Sequence, residues 1–95
     1  MFHWDDANRF HLARHNVSPD EAEQVIVNDP LDLDVQTVNG EERFTQVGET
    51  NEGRILVVAT TWRNDLIRVV TAWDAAAASK QEYLRDRMKS WLRHS

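Results

Sequence analysis

The sequence predicts an α+β fold in the order β-α-α-β-β-β-β-α, with helices segregated from an antiparallel sheet. Three observations carry this expectation. Two helix-start signals, at Asp5 and Ser18, stand in the first twenty residues. The apolar period then changes from helical to alternating between Leu31 and Trp73, broken by short turn pairs. An alanine run at 75–78 opens a final helical stretch.

Asp5 can cap a first helix whose apolar positions are Ala7, Phe10 and Ala13, with Leu12 beside them. Asn16 ends it, because asparagine tolerates a left-handed helix terminus. Ser18-Pro19-Asp20-Glu21 supplies a cap, a proline at the first helical position and the Glu of a capping box. Ala22, Val25 and Ile26 form the buried stripe, and Asn28-Asp29-Pro30 stops the helix. Leu31, Leu33 and Val35 then alternate with Asp32, Asp34 and Gln36, as in a half-buried strand. Asn39-Gly40 turns into a strand over Arg43 to Gly48. Asn51-Glu52-Gly53 turns again, and Arg54 to Trp62, apolar on both faces, reads as a central strand. Arg63-Asn64-Asp65 leads to a last strand from Leu66 to Trp73. Such short connections imply an antiparallel meander. Asp74 is expected to cap the final helix, about 75–93, with Tyr83, Leu84, Met88, Trp91 and Leu92 as its stripe. That helix could pack on the sheet, cap a groove, pair with a second copy or anchor a partner.

Ninety-five residues allow one domain, 1–95. The absence of cysteine excludes disulfides, thiolate metal sites and a cysteine nucleophile within these residues. The longest apolar run, Ile55 to Ala59, is far shorter than a membrane span. The acidic start, Met1-Phe2-His3-Trp4-Asp5-Asp6, differs from a basic-then-apolar signal peptide, so a cytoplasmic protein is expected. Net charge is −5, divided as −7 over residues 1–48 and +2 over residues 49–95. That balance argues against generic nucleic-acid binding but leaves room for a small basic site on the C-terminal half.

Few residues stand out chemically. His11 and His15 share a helix face at a spacing of four, but the intervening Leu12-Ala13-Arg14 lacks the Glu of a zinc-protease pattern, and no metal site is expected. No glycine-rich phosphate loop and no nucleophile elbow occurs. Arg54 opens the most apolar strand, and Arg68 interrupts Leu66-Ile67-Arg68-Val69-Val70. A guanidinium there needs a partner or an exposed concave face. Its planar fork suits a phosphate. A salt bridge, for example to Glu42 or Asp65, satisfies it equally.

Several segments, in order, resemble the BrnT family of toxins from type II toxin–antitoxin modules. They are Trp4-Asp5-Asp6-Ala7-Asn8-Arg9, Arg14 through Ala22, Asn28-Asp29-Pro30-Leu31, Glu41-Glu42-Arg43-Phe44, Gly53 through Val58, and Ile67 through Ala72. The likeness spans about residues 2 to 85. It implies a RelE-like ribonuclease fold and a metal- and cofactor-free endoribonuclease that arrests translation. It also implies a BrnA-like ribbon-helix-helix antitoxin, through which the complex contacts operator DNA, with a homodimer and a toxin–antitoxin heterotetramer both open. Carried over by position, the resemblance assigns Arg54 and Arg68 to phosphate and His15 or Glu42 to proton transfer. It assigns Arg43 and Tyr83 to RNA, with core packing the alternative for Tyr83, while Trp73 departs from the family pattern and could stack a base on RNA or cover a core edge. The family usually has an arginine where this chain has Trp73. Losing such a charge commonly costs about 100- to 1000-fold in rate. The alternative is therefore a catalytically silent homologue that keeps the antitoxin-binding surface.

Overall fold

The computed structural model describes residues 1–94, and Ser95 lies outside them. The elements are β1 (Phe2–His3), α1 (Asp6–Arg14), α2 (Pro19–Val27), β2 (Leu31–Val38), β3 (Glu41–Glu49), β4 (Ile55–Arg63), β5 (Leu66–Asp74) and α3 (Ala77–His94). This is the expected α+β order. Strands β2 to β5 form the antiparallel meander, and β1 adds to β5 in parallel, giving the sheet order β1-β5-β4-β3-β2.

Both early helices begin where their caps predict. The Asp5 side chain accepts from the Asn8 backbone N–H at 3.0 Å, and Asn8 Oδ1 accepts from the Asp5 N–H at 2.7 Å. Ser18 and Glu21 form the same reciprocal pair at α2. Asn16 and Asp29 sit at positive φ just past the two helices, and Asn39, Gly40 and Gly53 do so in the turns.

The buried face of α1 differs from expectation. Asn8 and Leu12 point inward, while Ala7, Phe10 and Ala13 are exposed. Asn8 Nδ2 also donates to the His3 carbonyl at 2.9 Å. These bonds lock Asn8 inward and so fix the helix rotation, which brings Leu12, one turn later, onto the same side.

One apolar cluster lies between α1, α2 and one face of the sheet, built on Leu12, Val17, Ala22, Val25, Leu56, Val58, Val69 and Ala72. The other face carries a smaller cluster, Val47, Val57 and Tyr83, with Leu31, Leu33, Ile55 and Trp73 packed on it. Strand β4 therefore has its centre buried on both sides, as its unbroken apolar run requires. In β2 the expected alternation fails at Val35, which is exposed. A bulge between Asp32 and Asp34 shifts the pairing, so Val35 leaves the face shared by Leu31 and Leu33.

The start of α3 is a second correction. Asp74 ends β5 instead of capping α3. Its carboxylate accepts two hydrogen bonds from Arg54, and α3 begins only at Ala77. Of the expected α3 stripe, only Tyr83 is buried. Leu84, Met88, Trp91 and Leu92 are exposed.

Candidate nucleic-acid interface

The pairing registers align five residues in one row across all five strands. His3 pairs with Arg68, and Arg68 with Thr61. Phe44 pairs with Thr60, which sets Arg43 opposite Thr61, and Arg43 pairs with Gln36. Side chains two apart share a face. Arg43 and Thr61 therefore lie on the face of Val47 and Val57, the face on which Tyr83 of α3 packs. The backbones of Arg68 and Arg43, two strands apart, are ~10 Å from each other. Thr71, Ala59 and Thr45 form the adjacent row, a strip of short side chains between the two arginines and the Trp73–Val57–Val47 cluster.

The two guanidiniums differ in their environment. Arg68 is fixed. Its Nη1 donates to Asp5 Oδ2 at 2.7 Å, its Nη2 donates to Asp5 Oδ1 at 3.2 Å, and Nη1 lies 3.2 Å from His3 Nδ1. The Arg68 hydrogen bond, followed by the Asn8 backbone bond, holds the Asp5 carboxyl well below the usual range. Asp5 is therefore ionised throughout the neutral range. The Arg68 side chain is 12% exposed, against 37% for Arg43. Arg43 is the more accessible of the two. Its nearest carboxylate oxygen, Glu41 Oε1, lies 3.9 Å from Nε, beyond hydrogen-bond range. Arg43 Nε is buried and has no hydrogen-bond partner among the described residues. An unsatisfied buried donor is costly.

Arg54 sits elsewhere. It lies just before β4, seven residues from Thr61 and ~23 Å away in extended chain, so it cannot act in concert with the row. Its Nε and Nη2 donate to Asp74 at 2.9 and 3.1 Å. Its Nη1 donates to the Asn16 carbonyl at 2.8 Å and to both Glu21 oxygens at 3.1 and 3.2 Å. These contacts, Asp74 first, raise its pKa and keep it charged. The guanidinium thus ties the α1–α2 corner, the first turn of α2 and the end of β5 together. Both strand arginines have carboxylate partners, and these are Asp5, Glu21 and Asp74 rather than Glu42 or Asp65.

The remaining expected site residues are dispersed. Glu42 alternates to the face opposite Arg43, and its carbonyl accepts from Thr61 Oγ1 at 2.8 Å. His15 is the exposed C-cap of α1, in the helical layer that packs on the other face. His11 is exposed as well, and no group of three potential metal ligands occurs among the described residues. Trp73 packs half-buried beside Tyr83, Val47 and Val57. Tyr83 is a core residue with no ring face open to a base. Its hydroxyl donates to Glu49 Oε1 at 3.1 Å and accepts from Arg87 Nε at 3.0 Å, and the Arg87 guanidinium lies 5.6 Å from the ring centroid. Burial, above all, raises the pKa of that hydroxyl.

His3 and Thr61 were missed by sequence reasoning. A histidine in a two-residue strand has no periodic signal, and only the register reveals its neighbour. Asp5 is legible as a cap but not as the partner of Arg68, 63 residues away.

No curated protein matches this chain. A family model described as "Ribonuclease toxin, BrnT, of type II toxin-antitoxin system" matches residues 4–79. No helix among the described residues is long and apolar enough to cross a membrane.

Proposed function

Because the chain belongs to the BrnT family of ribonuclease toxins of type II toxin–antitoxin systems, we propose that the Arg68–Thr61–Arg43 row is its RNA-cleaving surface. The observation that carries this reading is the part-exposed guanidinium of Arg43, with no carboxylate in hydrogen-bond range, in register with a second arginine. A phosphate on this row takes its hydrogen bonds from the more accessible Arg43, while Arg68, held by Asp5, adds positive charge beside it, in a chain whose overall charge is −5. The affinity is thus local and oriented rather than a property of the whole surface.

Cleavage proceeds without a metal. The RNA 2′-hydroxyl attacks the adjacent phosphorus, a 2′-oxygen–phosphorus bond forms and the bond to the 5′-oxygen breaks. The products are a 2′,3′-cyclic phosphate and a 5′-hydroxyl. One proton leaves the 2′-hydroxyl and one reaches the departing 5′-oxygen. Arg43 and Arg68 stabilise the charge that builds on the phosphoryl oxygens. His3 is better situated than His15 or Glu42 to move a proton, since it borders Arg68 while the others lie toward the opposite face. Thr61 holds the hairpin end through the Glu42 carbonyl. Arg54 acts on this reaction only by holding the fold.

In the proposed setting the free toxin arrests translation in the cytoplasm. A ribbon-helix-helix antitoxin neutralises it and carries the complex to operator DNA. Trp73 supports a second reading, a silent homologue retained for antitoxin binding, because the position expected to hold arginine instead packs into the α3 cluster.

Growth after controlled expression of wild type and Trp73→Arg, with and without the antitoxin encoded alongside, separates the two. Arrest by the wild type, relieved by antitoxin, is the expected result. Arrest by Trp73→Arg alone, at matched soluble expression, favours the silent homologue. No arrest by either protein overturns the ribonuclease reading.

A further inference from the structure

The family match stops at residue 79, so nearly all of α3 lies beyond it. The inner side of the helix is pinned. Tyr83 is bound to Glu49, and Arg87 donates to the Asn28 carbonyl at 3.1 Å and to Asp29 at 3.4 Å. The helix therefore cannot roll its outer side under. That outer side carries Leu84, Met88, Trp91 and Leu92 at offsets of four, seven and eight, a single helical stripe. Leu84 is 48% exposed, Met88 64% and Trp91 68%. Together the four leave roughly 400–500 Å² of apolar surface in water, as large as the biggest patch on a typical monomer.

A basic ridge borders the stripe. Arg85, Lys89 and Arg93 follow at offsets of four, adjacent to the apolar row; Asp86 shares a groove with Lys89 and Arg93, and the three cations form no ion pair among the described residues, so the ridge is net positive. Residues 80–95 hold five basic and two acidic side chains, +3, whereas residues 1–79 hold six and fourteen, −8. The charge pattern selects the occupant. In a two-fold antiparallel helix pair each flank meets its own counterpart, so a second copy would set Arg85 and Lys89 against Arg85 and Lys89. An anionic membrane would draw the ridge but repel the −8 remainder of the chain.

We propose that this stripe and ridge dock an acidic amphipathic helix of the antitoxin, apolar residues on the stripe and carboxylates on Arg85, Lys89 and Arg93. This rests on the toxin–antitoxin reading of the chain. Such a contact gives this toxin a means of choosing its own antitoxin over those of related modules.

The test is calorimetric titration of the antitoxin encoded beside this gene into full-length wild type, Trp91→Glu and the double variant Lys89→Glu/Arg93→Glu. These side chains are exposed, so the fold survives the changes. Trp91→Glu is expected to weaken binding about 30-fold or more. The double variant is expected to weaken it about tenfold and to flatten its salt dependence. Wild-type affinity in both variants overturns the proposal, as does a wild type that does not bind. Light scattering showing a dimer that Trp91→Glu dissolves, with antitoxin affinity unchanged, assigns the stripe to a second copy instead. Binding of phosphatidylglycerol vesicles that depends on Trp91, again with antitoxin affinity unchanged, assigns it to a membrane. RNA cleavage is a separate readout. Absence of cleavage by wild type that binds antitoxin through Trp91 removes the ribonuclease reading and leaves the docking surface standing.

Discussion

Replacing Arg54 by alanine is expected to damage the fold rather than the chemistry. The side chain is 28% exposed and makes three separate connections. The pair with Asp74, whose side chain is 68% exposed, is screened by water and contributes ~0.5 kcal/mol. The Glu21 contact is less exposed and charge-assisted on both oxygens, worth ~1 kcal/mol. The Asn16 carbonyl, on a residue at φ +58°, loses a charged donor, at ~1 kcal/mol. The sum is about 2–3 kcal/mol, which lowers the melting temperature of a domain this size by roughly 10–20 °C. Thermal and urea unfolding followed by circular dichroism measure it. A double-mutant cycle with Glu21→Gln isolates the helix contact as a positive coupling. A melting temperature within about 2 °C of wild type, together with lost RNA cleavage, would refute the clamp and return Arg54 to the reaction.

Asp5, Glu21 and Asp74 all have carboxyl pKa values lowered in the folded chain, by Arg68, the Ser18 backbone N–H and Arg54 respectively. Folded values below unfolded ones stabilise the protein above about pH 4, and that contribution is lost as pH falls below it. Urea midpoints measured from pH 7 to 3 therefore fall, less steeply in Asp5→Asn than in wild type. Gly48→Ala places a Cβ 3.1 Å from Pro30 Cβ and 3.1 Å from Val25 Cγ1, a rigid ring and a core side chain. It is expected to cost about 1–3 kcal/mol by overpacking, read as a lower urea midpoint. Tyr83→Phe removes the hydroxyl between Glu49 and Arg87. About 1 kcal/mol is expected, with faster amide exchange confined to α3.

What was legible depended on the range of the interaction. Caps are local. Ser18 with Glu21, and Asp5 at its helix, could be read because the partners lie three residues apart. The strands and turns followed from alternation and from Asn39-Gly40. The inward face of α1 was hidden because a buried asparagine, bonded to His3 and Asp5, outranked Phe10 as the residue that sets rotation. Val35 was misread because a bulge leaves no local signature in Asp32-Leu33-Asp34. Asp74 was misread because its competitor, Arg54, lies 20 residues away. The candidate site shows the same limit. Arg68 could be singled out by type and Arg43 only through the family resemblance, but their alignment across Thr61, and the arrival of His3 beside them, are properties of register.

The most direct measurement is RNA cleavage by purified Arg43→Ala, with Arg54→Ala compared at matched folded fraction. Arg43 makes one long contact, to Glu41, so its removal leaves stability near wild type. The row predicts that Arg43→Ala loses about 100-fold or more in rate while remaining folded. It also predicts that folded Arg54→Ala cleaves as wild type does. Wild-type cleavage by Arg43→Ala, or loss confined to folded Arg54→Ala, would contradict the placement of the reaction on this face.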